Sequence, residues 1–237
     1  MENQKVDVVA TLPTNGLTVP GDFPTIPYSL IYEAVVSKYA AHPLYEHHAG
    51  AWNALGYRFR ACIDSGDTFA SLIKAHGATP LPEDRYLQEK ALFDFFSSGF
   101  SVFESAFYGL YTIGAFLAAG AFPLASEREQ QQVSPTRTKD AFAREFPTDP
   151  IVAAFSTLFA DPEYQKWREV RNVLTHRTAP GRRIYVSIGN DDALPTEWKL
   201  NDSPLDISIA TNGRHELGRL LTHLLDAGAQ FVEAKFK

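Results

Sequence analysis

The chain has 237 residues, 45% of them hydrophobic and 21% charged, with a formal net charge of −6. That is the composition of a globular protein able to bury a sizeable core, and its acidity argues against a protein that coats nucleic acid non-specifically, since phosphate binding needs positive surface. The single cysteine, Cys62, excludes an intrachain disulfide framework and a cysteine-based zinc cage, and reads as a small buried apolar residue in a reducing compartment.

Residues 1–26 are polar and punctuated by Pro and Gly, and read as an arm lying on the domain, with Lys5 to Leu12 alternating as an edge strand would. No basic region followed by an apolar run opens the chain, so a secretory signal is not expected and a cytoplasmic location is. Residues 27–237 read as one helical domain. Leu30, Ile31, Ala34, Val35 and Tyr39 recur at three and four, the pattern of an amphipathic helix. Pro43 starts a second helix to about Cys62. Its His42, His47 and His48 invite a metal reading, but adjacent residues on a helix diverge by about 100° and no carboxylate at matching spacing completes a site; no metal and no cofactor are expected. Asp64 to Gly77 reads as a further short helix, ended by Gly77 and Pro80-Leu81-Pro82.

Pro82, with Glu83 and Asp84 in the first turn, opens the longest element, reaching to about Ala121. It is strongly aromatic, through Phe93, Phe96, Phe100, Phe103 and Phe107 among others. The uncharged run Ser105 to Ser126 has the length of a membrane span. Gly109, Gly114, Gly120 and Pro123 dilute it and its flanks lack a basic cluster, so a helix buried on nearly all sides is expected, and no membrane. Glu104 is the lone charge amid these apolar neighbours. It either finds a cationic partner such as Arg171 or Arg168 on a nearby helix or reaches the surface at the helix edge.

Ser126 to Pro150 reads as a connecting loop with a short helix near Lys139 to Phe146, and a helix follows from Ile151 to about Phe159. Asp161 as N-cap and Pro162 in the first turn then begin a helix over about 161–177. At roughly 100° per residue, Trp167, Val170 and Leu174 share one face, while Arg168, Arg171, Asn172, Thr175 and His176 are expected across the opposite one. Between Lys166 and Arg183 six basic residues stand against the single acid Glu169, a basic island in an acidic chain. An enzyme contacting a few phosphates needs such an island, and a surface facing an acidic protein partner has the same composition. Beyond the motif, Arg183 to Ile188 reads as a strand, Gly189 to Asp192 as a turn, Thr196 to Leu200 as a partner strand and Leu205 to Ile209 as a third. A last helix over about 212–236 closes the chain.

The order Arg171-Asn172-x-x-x-His176 at the end of an amphipathic helix resembles the defining motif of the HEPN superfamily, helical domains in which an Arg followed by a polar residue stands four to six residues before a His. The resemblance covers at best the helical body from Pro82 to Arg177 and the last helix, and the β insertion over about 183–209 departs from a minimal HEPN domain. The chain is therefore expected to be a mainly α, HEPN-like up-and-down helical bundle, to which the strand pattern adds a small antiparallel β-hairpin insertion before the last helix. The resemblance further implies a metal-independent endoribonuclease in which an RNA 2′-hydroxyl attacks the adjacent phosphate. His176 would transfer the proton, Arg171 would hold the phosphate, and Asn172 would orient His176 or the scissile group. Arg168, Arg177, Arg182 and Arg183 are the expected substrate contacts, with Glu104 in a supporting role. One Arg/His pair supplies one proton-transfer group where the reaction uses two, so a homodimer with facing motifs is expected. Three other readings remain: a non-catalytic HEPN-like module binding an antitoxin-like protein partner or a nucleotide, a structural or membrane-associated helical protein, and the solvated end of an ordinary surface helix, where cations favour the terminal carbonyls.

Overall fold

The computed structural model describes residues 16–177, 179–183, 196–200 and 203–237. Among them the order is α1 (Thr25–Tyr39), α2 (Tyr45–His76), α3 (Pro82–Leu117), α4 (Glu127–Gln131), α5 (Pro135–Glu145), α6 (Pro150–Ala160), α7 (Pro162–His176), β1 (Arg182–Arg183), β2 (Glu197–Leu200), β3 (Ser203–Pro204) and α8 (Ile207–Lys235). The protein is a mainly α bundle with a small antiparallel β insertion before its last helix.

The bundle is built on the antiparallel pair α2 and α3, of 32 and 36 residues. They are joined by a turn in which Gly77 takes a φ of 67°, a left-handed value that suits glycine. The sequence suggested a break near Cys62 to Asp64, but α2 runs through it unbroken. No proline interrupts it there, and the neighbouring Gly66 is held by tertiary packing, with the Phe95 ring 3.0 Å from where a Cβ would stand. Two glycines of α3 do the same for larger rings: a Cβ on Gly109 would lie 2.6 Å from Trp52, and one on Gly99 only 2.3 Å from Trp167. The aromatic stripe of α3 is therefore the floor on which the other helices sit. Phe107 packs on Phe155 of α6, and Phe95 and Phe96 flank Trp167 of α7 at centroid distances of 4.9 and 5.0 Å.

Among the described residues α3 is the one helix long and apolar enough to cross a membrane by length and composition, and 72% of its most apolar window is buried inside the protein. It ends at Leu117, short of the expected Ala121, where Ala118 leaves helical geometry.

The stretch between α3 and α6 holds more helix than its polarity suggested. Ser126 and Glu129 form a reciprocal capping box that starts α4, and Ser134 caps α5 with Pro135 in its first turn, so that α5 begins earlier than Lys139. The third strand expected over Leu205 to Ile209 is likewise corrected. Asp206 accepts a hydrogen bond from the Ser208 backbone and starts α8 at Ile207, ahead of the expected residue 212. β2 pairs antiparallel with β1 on one side (Arg182 opposite Trp198) and β3 on the other (Lys199 opposite Pro204). The expected edge strand at Lys5 to Leu12, strand residues 184–188 and the turn at 189–192 lie outside the described residues. Of the arm, Phe23 is 4% exposed and packs edge-on against Tyr28 and Phe59, so the segment just before α1 belongs to the core.

Candidate functional site

α7 is fixed at its N-terminal end and along one face. Asp161 caps it by accepting from the Glu163 backbone, and the other carboxylate oxygen of Asp161 receives Arg219 of α8 at 2.9 Å. Tyr164, Trp167, Val170 and Val173 are buried. Trp167 fits into the notch left by Gly99 of α3, where a Cβ would stand 2.3 Å from its ring, and lies close to Gly213 of α8, where a Cβ would stand 3.3 Å from Trp167 and 2.8 Å from Phe95.

The structure departs from the sequence reading at Arg171. At roughly 100° per residue, it stands only about 60° from Leu174, at the margin of the buried face and not opposite it, and its side chain is 18% exposed. Nη2 donates to Glu104 Oε1 of α3, and the guanidinium lies over the Phe100 ring, 4.5 Å from its centroid, a cation-π placement. Glu104 Oε2 in turn accepts from Ser101 Oγ at 3.1 Å. Arg171 Nε is buried with no hydrogen-bond partner among the described residues. Thr175 donates its hydroxyl to the Arg171 carbonyl one turn back and so is tied to its own helix.

His176 is the last residue of α7 and is exposed, Arg177 follows it exposed, and Asn172 is half-buried. None of these three side chains has a hydrogen bond or ion pair among the described residues. Arg171 and His176 therefore sit on one helix but face differently, the first locked to α3 and the second open to solvent. The basic island is divided in the same way. Arg168 is exposed and bonds Gln165 of its own helix; Arg183 is exposed. Arg182 is turned inward, its side chain 3% exposed. Its two terminal nitrogens donate to Gln88 Oε1 at 2.8 Å and to the Ala78 carbonyl at 3.1 Å, while its guanidinium stacks 3.8 Å over Trp198. Sequence composition placed Arg182 among substrate contacts; its burial leaves it a packing role, clamping the β insertion to the turn between α2 and α3.

One functional neighbour was not anticipated. Arg58 of α2 donates to the Ser101 carbonyl at 3.3 Å and to Ser105 Oγ, so guanidinium groups from α2 and α7 both grip the same turn of α3, with Glu104 in that turn. The readable signal is the recurrence Ser97, Ser101, Ser105 at intervals of four on an otherwise aromatic helix, which marks a polar stripe. The histidines named as a candidate metal cluster are dispersed. His42 Nδ1 accepts from the Leu44 backbone, His47 shares a hydrogen bond with Tyr108, and His48 is buried against Trp52. Among the described residues no group of His, Cys, Asp and Glu is arranged to hold a metal ion.

Comparison with family models, with curated proteins and with solved structures finds no match to this chain.

Proposed function

We propose that the chain is a metal-independent endoribonuclease of the HEPN kind, acting in the cytoplasm as a homodimer. The observation that carries this reading is the pairing of a pre-oriented cation with an open titratable group on one helix: Arg171 held by Glu104 and Phe100, and His176 exposed one and a half turns later. In the reaction His176 of one copy takes the proton of an RNA 2′-hydroxyl as its oxygen attacks the adjacent phosphorus. The 5′-oxygen leaves with a proton from the second copy's histidine, giving a 2′,3′-cyclic phosphate and a 5′-hydroxyl. Each proton transfer is ordinary general acid-base work for an imidazole. Arg171 stabilises charge on the non-bridging oxygens; because Glu104 already occupies one of its donors, it does so through the remaining ones. Asn172 orients the scissile group, and Arg168, Arg177 and Arg183 hold flanking phosphates.

The test is incubation of the purified protein with mixed RNA, with and without chelator, beside its molar mass in solution. Cleavage that survives chelation and vanishes in His176→Ala supports the reading. A monomer at micromolar concentration that cuts nothing overturns it. That second outcome favours a non-catalytic module binding a protein partner or nucleotide, a reading supported by how little of Arg171 is open to a phosphate, its side chain being 18% exposed.

A further inference from the structure

On another side of the bundle α1 and α8 run alongside one another, with Ile31 of α1 against Gly228 of α8 and Tyr39 against Phe236. The inner face of α1 is ordinary core, Tyr28, Ile31 and Val35 being at most 1% exposed. Its outer face is not an ordinary surface. Ile26 and Leu30, one turn apart, are 76% and 54% exposed. Two hollows meet there, of about 430 Å³ and about 650 Å³, sharing Ile26, Pro27 and Asp226. Together they form a single apolar groove running from Val19 past Leu30 to Glu233.

The rim of this groove is acidic. Asp226 and Glu233 line it from α8, and Glu33 stands on α1 one turn beyond Leu30; all three are exposed and none forms an ion pair among the described residues. The other carboxylate at the groove, Asp22, is already neutralised by both Arg214 donors.

We propose that this groove docks a basic amphipathic helix of a partner protein, its apolar side chains on Ile26, Pro27 and Leu30 and its Lys or Arg residues against Glu33, Asp226 and Glu233. Apolar anchors one turn apart in a groove are the geometry of helix-in-groove recognition, and the unpaired carboxylates set the sign of the partner. Charge also decides against two nearer occupants. A second copy presenting the same face would set carboxylates against carboxylates, and residues 1–15 carry Glu2 and Asp7 against Lys5 alone. The surface is built from α1 and α8, whereas the Arg171 and Glu104 pair belongs to α7 and α3, so the inference stands apart from the ribonuclease reading.

The experiment uses the full chain and a fluorescein-labelled Leu/Lys amphipathic peptide of about four helical turns, with a Leu/Glu peptide of the same pattern as counterpart. The Leu/Lys peptide binds, and the double substitution Ile26→Glu, Leu30→Glu weakens binding about tenfold or more, as loss of central apolar anchors does. Asp226→Lys with Glu233→Lys reverses the preference in favour of the Leu/Glu peptide. A photoreactive leucine in the Leu/Lys peptide crosslinks the unaltered protein on α1 and α8, which serves if a variant fails to fold. The proposal is overturned by binding indifferent to Ile26 and Leu30, or by crosslinks elsewhere. It is overturned equally by peptide binding that appears only after removal of residues 1–15, or by self-association that Ile26→Glu abolishes, since these name the arm or a second copy as the occupant.

Discussion

Arg171 of the motif helix and Glu104 of the core helix are hydrogen-bonded to one another, with the Arg171 guanidinium 4.5 Å over the Phe100 ring centroid. The pair ties α7 to α3 at the point where the motif begins, so Arg171 holds structure as well as any charge it offers a ligand. Arg171→Ala should therefore lower stability by about 1 to 3 kcal/mol, less than the roughly 3 to 5 kcal/mol that breaking a fully buried pair costs, because Glu104 is 38% exposed. Adding Glu104→Gln should recover part of the loss in thermal denaturation, since the carboxylate would no longer be left without its cation. No recovery would mean that the Phe100 stack, and not the ion pair, carries the stabilisation.

His176 gives the opposite expectation. It is exposed at the end of α7 and touches no partner among the described residues, so His176→Ala should shift stability by no more than about 0.5 kcal/mol while removing all RNA cleavage. A drop of many degrees in melting temperature with cleavage intact would identify the residue as a stabiliser of the helix end and leave the proposed reaction without its proton carrier.

Much of this was legible in the sequence. The apolar periodicities, the proline starts and Asp161 before Pro162 located most of the long helices, because each is a local signal written in adjacent residues. What escaped was decided across the bundle. The continuity of α2 past Cys62 depends on Phe95 packing over Gly66, the inward turn of Arg182 on Gln88, Ala78 and Trp198, and the grip of Arg58 on a turn of α3 more than forty positions away. The misplacement of Arg171 is different in kind. Its angle to Leu174 follows from helix geometry alone, whereas its charge points to the opposite, solvated face. A long cationic side chain at the margin of a buried face lays its stem along apolar surface and carries its head to a partner, as Arg171 does over Phe100.

Arg182 offers a test of the β insertion. Its guanidinium stacks on Trp198, whose indole N–H donates to the Pro180 carbonyl, and its fork spans Gln88 and Ala78. Arg182→Lys should behave almost as badly as Arg182→Ala, since an ammonium reproduces neither the planar stack nor a fork of two separate donor nitrogens. Amide exchange across Glu197 to Leu200 should accelerate in both variants while α2 and α3 stay protected. Protection unchanged in the alanine variant would show that the insertion is held by other contacts.

His48 gives a pH dependence whose sign follows from its burial. The ring stacks on Trp52 at 4.8 Å, Nδ1 donates to the Gly109 carbonyl at 3.3 Å, and Nε2 is buried without a hydrogen-bond partner among the described residues. Burial pushes its pKa down to about 4 from the ordinary 6.5, the Gly109 hydrogen bond opposing only part of that shift. The folded protein thus demands the neutral ring, whereas the unfolded chain protonates it readily below 6.5. The contribution is complete above pH 6.5, is lost progressively as pH falls toward 4, and stops changing below that, where both states are protonated. The full loss from this residue is about 3 kcal/mol. His48→Asn keeps a neutral donor near the position of Nδ1 but gives up the stack, so it should be less stable at pH 7 and yet lose less of its stability between pH 6.5 and 4 than the unaltered chain. Subtracting the two melting profiles removes the titration of the carboxylates common to both. Parallel profiles across that window would show that His48 does not remain neutral in the fold.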